Sequence, residues 1–238
     1  MRKFLKYIIP GYWISQRNLF NGKILFKSKE HLNLFFNRSY ESEVWNSIKD
    51  KIHLEESMKI VDIGANIGQA MLALNSVFPR NTIDCYEPQY KEFCFLEINR
   101  LTNSIPGKSY NFAIVPEEKE KVSFSIDNDT GWRSSFVSIA ENDSLIKVPA
   151  KSFNSLIDEN VGLIKIDIEG FEGELFKKPL RSLNKVFLII EVRETTSRQI
   201  LEFFLPTHKI FHLEKNREIK KLETIGFSNL LLTPNNMS

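Results

Sequence analysis

Five carboxylates stand within or just after four short apolar runs, and their placement suggests proton and cation chemistry. Asp62 lies inside the run at 60–63, Glu87 follows 83–86, Asp167 and Glu169 follow 163–166, and Glu191 closes 186–190. If these runs are parallel strands of one sheet, the carboxylates share the crevice at its carboxyl edge, where doubly wound α/β proteins bind ligands. Asp167 and Glu169 are two residues apart, so on an extended chain both point toward that crevice. One can act as general base or orient a hydroxyl, while the other holds a cation or a further hydroxyl. Two close carboxylates also tend to separate their pKa values, leaving one charged and one protonatable. Lys165 is expected on the opposite face or in a pair with Glu191. A structural reading competes, in which Glu169 and Glu172 open a helix and only stabilise its N-terminus. With Glu191, the Asp167 and Glu169 pair would also offer hard oxygen ligands to Mg²⁺, a cofactor the sequence neither requires nor excludes.

The elements that must position these groups centre on Ile60-Val61-Asp62-Ile63-Gly64-Ala65-Asn66-Ile67-Gly68-Gln69. The run through Ile63 stops at a glycine, and Ile67, Ala70, Met71, Leu74 and Val77 then recur at helical spacing, giving strand, glycine turn and helix. Such a turn brings backbone N–H groups and the positive end of a helix to the sheet edge. A dinucleotide fingerprint would have glycines at the second and third positions, which here are Asn66 and Gln69. The turn therefore suits a ligand without a pyrophosphate, and S-adenosylmethionine is one. We expect the N–H groups of Gly64, Ala65, Asn66 and Gly68 to hold the methionyl carboxylate, and Asp62 either to favour the cofactor's cationic end or to cap the turn. Glu87, at the end of the next run, is placed to accept hydrogen bonds from both ribose hydroxyls. Pro88 has no N–H, so it ends the ladder and starts the turn into a helix carrying Phe93, Leu96 and Ile98. Phe112 and Ala113, in a third strand expected near 110–115, are candidates for an adenine pocket.

At this point the chain resembles class I methyltransferases. Lys165-Ile166-Asp167-Ile168-Glu169-Gly170-Phe171-Glu172 looks like the K-I-D-x-E-G-x-E signature of the FkbM family, and with the Asp62–Gly68 turn and the Glu87-Pro88 pair the resemblance covers roughly residues 58–192. It implies a Rossmann-like α/β fold, with a mostly parallel, seven-stranded sheet ending in an antiparallel strand and helices on both faces. It also implies S-adenosylmethionine-dependent O-methylation, with a hydroxyl of a sugar or glycan as the expected acceptor. The family's Leu-Asp-Ser reads Phe153-Asn154-Ser155 here, so Asn154 receives no catalytic role. Asp127–Ser135, with Trp132 and Arg133, resembles a family loop and suits stacking on a sugar or gripping an anion.

At 238 residues and 42% apolar content the chain can bury one good core, so one catalytic domain at 58–238 with an extension at 1–57 suffices. Tyr40, Val44, Trp45 and Ile48 repeat at helical spacing and predict an amphipathic helix over one edge of the sheet. Arg2, Lys3, Lys6, Tyr7, Tyr12 and Trp13 could touch a membrane surface or help form the acceptor site. A net charge of +2 with both signs interspersed argues against nucleic acid as a partner. Cys85 and Cys94 fit neither a disulfide framework nor a zinc pattern and are expected to be buried, reduced thiols. No apolar run approaches the roughly 20 residues needed to span a bilayer. The apolar part of the N-terminus ends at Pro10 without a cleavage site, so a cytoplasmic location is expected. His208 and His212 are expected to be non-catalytic, and 214–223 reads as a solvated loop. Two rival functions remain: an NAD-dependent sugar-modifying enzyme, and a non-catalytic cofactor-binding or membrane-peripheral scaffold.

Overall fold

The computed structural model describes residues 14–19, 23–28, 45, 47–126, 144–177, 180 and 183–237. The expectations for Arg2, Lys3, Lys6, Tyr7, Tyr12, Trp13, Tyr40, Val44 and the loop at 127–135 lie outside them. The chain opens with a hairpin that the periodicity did not predict: β1 (Ile14–Leu19) pairs antiparallel with β2 (Lys23–Ser28). Asn21-Gly22, a dipeptide that favours tight hairpin turns, stands between them.

Next come β3 (Lys59–Ile63), α1 (Gln69–Val77), β4 (Ile83–Tyr86), α2 (Tyr90–Thr102) and β5 (Ser109–Tyr110). A small excursion of β6 (Ala113–Val115), β7 (Lys121–Ile126) and β8 (Ser144–Ser152) follows. The chain then returns as β9 (Val161–Ile166), α3 (Glu172–Leu175), β10 (Phe187–Val192), α4 (Glu194–Phe204), β11 (His208–His212), β12 (Arg217–Ile219) and β13 (Ser228–Pro234).

Eight strands form one sheet in the order β12-β11-β13-β10-β9-β3-β4-β5. The pairs from β10 through β5 are parallel, and β13 enters antiparallel between β10 and β11. The eighth strand corrects the expected seven. β12 forms in the stretch read as a solvated loop because Ile219, 2% exposed, turns into the core while its neighbours stay outside. The third strand is also shorter than predicted. It ends at Tyr110, and Ala113–Val115 pairs instead with β8 in a separate three-stranded sheet with β7.

Period-two alternation divides the core between the two faces of the large sheet. Val61, Ile63, Ile164, Ile166, Leu188 and Ile190 pack with Leu175 of α3 and with Ile200, Leu201 and Phe204 of α4. Ile60, Leu163, Phe187 and Ile189 pack on the other face with Met71, Leu72 and Leu74 of α1 and Phe95 and Leu96 of α2. Ile48, on a helical segment at 47–51, and Ile52 just after it join this second cluster. They therefore cover a sheet face rather than the predicted edge. Cys85 is buried as expected, whereas Cys94 is only partly buried; both are free thiols. Among the described residues no helix is long and apolar enough to cross a membrane.

The hairpin is tied to the rest of the molecule by the burial of Leu25 and Phe26 in the second cluster and by a buried polar side chain. Fully buried Asn99 of α2 accepts from the Phe26 N–H at 2.6 Å and donates to the carbonyls of Phe26 at 3.0 Å and Ile67 at 2.7 Å. It thereby links β2 to the turn that precedes α1. Asn99→Leu strands all three backbone groups and should lower stability by about 3 kcal/mol in urea denaturation. An unchanged midpoint would mean that the hairpin is held by other contacts.

Candidate active site

β3 ends at Gly64, whose φ of 76° is open to glycine at little cost. The position also lacks room for a side chain, since a Cβ there would lie 1.8 Å from the carbonyl oxygen of Asp167. The glycine therefore lets the turn close on the segment that follows β9. The turn's own donors are all engaged. Gly64 and Ala65 N–H donate to the Tyr86 carbonyl at 3.0 and 3.1 Å, and Gly68 N–H to that of Ala65 at 2.8 Å. Asn66 N–H donates to Glu87 Oε2, and Ile67 N–H to Asn66 Oδ1, both at 2.8 Å. These bonds build the turn from the same N–H groups that are expected to hold a ligand carboxylate.

Glu87 is 5% exposed, and its Oε1 accepts from Gln89 N–H at 2.8 Å. Burial pushes its pKa up to about 8 against the opposing pull of the Gln89 and Asn66 N–H bonds. Each oxygen has one N–H partner, which leaves a lone pair on each for a vicinal diol. Asn111 Nδ2 donates to the carbonyls of Glu87 and Pro88, both at 2.9 Å, and fixes the loop around them. Phe112 is half-buried with Lys151 over its ring, and Ala113 is enclosed in the small sheet at 1% exposure. Asn66 sits at φ 48° with its side chain folded back onto the turn, where a pyrophosphate site needs a bare glycine.

Register places Asp62 beside Lys165, and both side chains lie on the face that carries α1 and α2. Lys165 thus shares a face with Asp167 rather than opposing it, since two residues along a strand restore the orientation. Its Nζ lies 3.0 Å from Asp167 Oδ2 and 3.6 Å from Asp62 Oδ1. Burial works against the charge on Lys165, but Asp167 and Asp62 outweigh it and raise its pKa. Asp62 is fully buried, and burial raises its pKa while Lys165 draws it down. It meets the crevice through Lys165.

Glu169 reaches the crevice by a route the sequence did not suggest. β9 ends at Ile166, and Glu169 adopts φ 57° in a turn, so strand alternation does not orient it. Glu172 braces this turn: its Oε1 accepts from Ile168 N–H at 3.0 Å and Gly170 N–H at 3.1 Å. The structural reading thus describes Glu172 but not Glu169, whose carboxylate pairs with Arg193. One oxygen each of Asp167, Glu169 and Glu191 lies within 4.8 Å of the others. Such a trio has the ligand chemistry for a divalent cation, but its flanks already hold Lys165 and Arg193 as countercharges. Burial, then Asp167, push Glu169 up to about 7. The same two causes push Glu191 well above the ordinary carboxylate range. Arg193 was missed, although its place two residues after Glu191 at the end of β10 could have suggested it. His208 and His212 are buried on β11, and His212 is engaged with Ser228 and Glu214.

Comparison with known proteins gives this geometry a family. A search of curated proteins finds no match. Among solved structures, the chain resembles the methyltransferase FkbM from Methylobacillus flagellatus, with 18% identity and a TM-score of 0.50 over 83% of this chain and 46% of that one. It also resembles the tRNA (uracil-54, C5)-methyltransferase of Pyrococcus abyssi, solved with S-adenosyl-L-homocysteine, with 10% identity and a TM-score of 0.50 over 92% and 43% of the two chains. This chain thus spans less than half the length of either protein, and at these identities the likeness shows a shared Rossmann-like class I methyltransferase fold. The methyltransferase FkbM domain model matches residues 62–217, from Asp62 through the crevice carboxylates to β12. With well over half of its length matched and its strands in the corresponding fold, the chain belongs to the FkbM methyltransferase-domain family.

Proposed function

We propose that the protein transfers a methyl group from S-adenosylmethionine to a hydroxyl of a sugar or glycan. The observation that carries this reading is the joining of two half-sites at one sheet edge: the Gly64 turn with Glu87, and the Asp167, Glu169 and Glu191 trio. The Asp62–Lys165–Asp167 ion-pair chain runs between them. The residues suit the cofactor, because buried Glu87 keeps a lone pair on each oxygen for the two ribose hydroxyls. When bound, S-adenosylmethionine supplies an electrophilic methyl on a sulfonium.

The protein's work is then to orient the acceptor oxygen behind that methyl, exclude water and take up a proton. Asp167, tethered by Lys165, accepts a hydrogen bond from a neighbouring hydroxyl of the sugar and so orients the acceptor oxygen, whose own proton faces Glu169. Glu169, poised near neutrality, takes the hydroxyl proton as the oxygen–methyl bond forms and the methyl–sulfur pair returns to sulfur. Glu191, holding its proton, can donate to a second acceptor oxygen. The NAD-dependent alternative lacks support at Asn66, whose side chain occupies the position where a pyrophosphate needs bare backbone.

Two measurements test this reading. In calorimetric titration, S-adenosylmethionine and S-adenosylhomocysteine should bind and NAD should not. Glu87→Ala should weaken both by about a hundredfold, the loss of two hydrogen bonds to the ribose and the stranding of the Asn66 and Gln89 N–H groups. Binding of NAD alone would overturn the reading. In single-turnover methylation of sugar acceptors, the rate should rise with pH through about 7, because Glu169 must be deprotonated to accept the proton. Glu169→Gln should lower the rate by at least about a hundredfold and remove that limb of the profile. A wild-type profile in this variant would move the base to Asp167.

A further inference from the structure

Phe227 is a large apolar side chain left 63% exposed beside the most polar part of the molecule. It directly precedes β13, and Ser228 pairs with Val192, so Phe227 stands at the carboxyl end of β10. The Arg193 guanidinium lies over its ring, 5.8 Å from the centroid. The same guanidinium pairs with Glu169 and lies 3.9 Å from Glu191 Oε1. An aromatic plate, a planar donor fork and the acidic trio are thus contiguous along one rim. The family match ends at residue 217, so Phe227 belongs to the part of the chain that the shared domain does not cover.

A solitary exposed phenylalanine is unremarkable, but one in this row has a chemical use. A pyranose presents an apolar C–H face, which suits the negative face of an aromatic ring, and edge hydroxyls, which suit a guanidinium or carboxylate. The charge balance selects among sugars. Among the described residues at this rim, the cations Lys165 and Arg193 are each already paired with carboxylates of the trio, which favours a neutral sugar over an anionic one.

We infer that Phe227 and Arg193 form the acceptor subsite, with a neutral pyranose stacked on Phe227 and its hydroxyls held by Arg193 and Glu191. This rests on the proposed transfer to a sugar hydroxyl and assigns the residues that select the acceptor. Phe227 is the specificity-determining side chain, and Arg193 couples the bound sugar to Glu169.

The test is saturation-transfer NMR on the full chain, with and without S-adenosylhomocysteine. The probes are methyl glycosides of neutral hexoses, of 6-deoxyhexoses and of a uronic acid. For at least one neutral glycoside, wild type should transfer saturation to the ring C–H protons. Phe227→Ala should weaken binding by about tenfold, Phe227→Trp should restore it, and the uronic acid should bind more weakly. Because Phe227 is exposed, folding of these variants is not at stake, and unchanged affinity for S-adenosylhomocysteine in Phe227→Ala would confirm it. If no neutral glycoside binds wild type, or Phe227→Ala binds as well as wild type, the subsite is overturned. Equal or stronger binding of the uronic acid would overturn its selection of neutral sugars. Failure of S-adenosylhomocysteine to bind would count against the methyltransfer reading alone, since sugar binding that depends on Phe227 is measured without it.

Discussion

A buried cation on a central strand makes this crevice possible. Lys165 is 6% exposed and sits between Asp62 and Asp167, on a sheet edge where Glu169 and Glu191 also converge. Several carboxylates in so small and dry a space would repel one another, and most would hold protons at neutral pH. Lys165 draws Asp62 toward its charged form from one side, and Arg193 draws Glu169 and Glu191 from the other. The carboxylates consequently differ in proton affinity, which acid–base chemistry at one site requires. The same lysine links β3, which leads into the Gly64 turn, to the end of β9, which leads into the Asp167–Gly170 segment.

Around this pair the backbone is arranged so that loops are held by side chains with a second use. Glu87 accepts the Asn66 and Gln89 N–H groups and so shapes the turn while its carboxylate stands at the sheet edge. Glu172 holds the Ile168–Gly170 turn that swings Glu169 into the crevice. Gly64 permits close contact between the two loops, because any side chain there would strike the Asp167 carbonyl. The two half-sites are therefore mechanically as well as electrostatically joined. A change in the Gly64 turn is felt at Asp167 through backbone contact.

The shared family domain begins at Asp62 and ends at Arg217, and the chain adds elements on both sides of it. On the N-terminal side, β2 is fastened by Asn99 to the segment leading into α1. On the other side, β13 inserts between β10 and β11 and brings Phe227 to the rim. A fold does not specify an acceptor, which is chosen by the groups that surround the site. Phe227 and Arg193 are such surroundings.

The α/β class, the strand–glycine–helix turn, Glu87 and the convergence of Asp167, Glu169 and Glu191 could all be read from apolar runs that end in carboxylates. Those runs carry periodicity, and parallel strands gather their carboxyl ends at one edge. Where reading failed, the deciding interaction joined residues distant in sequence or broke the local period. β12 is three residues long and held by the burial of Ile219; the 110–115 strand divides between two sheets; Glu169 turns at positive φ. The engagement of the turn's N–H groups depends on Tyr86 and Glu87 in a neighbouring strand and the loop after it, which spacing within the turn does not reveal. Lys165 and Arg193 likewise acquire their roles only when β3, β9 and β10 lie side by side. Local patterning dictated which elements form and where their polar ends fall, while tertiary packing decided which charges meet, because pairing in a low-dielectric crevice depends on distances that only the assembled sheet defines.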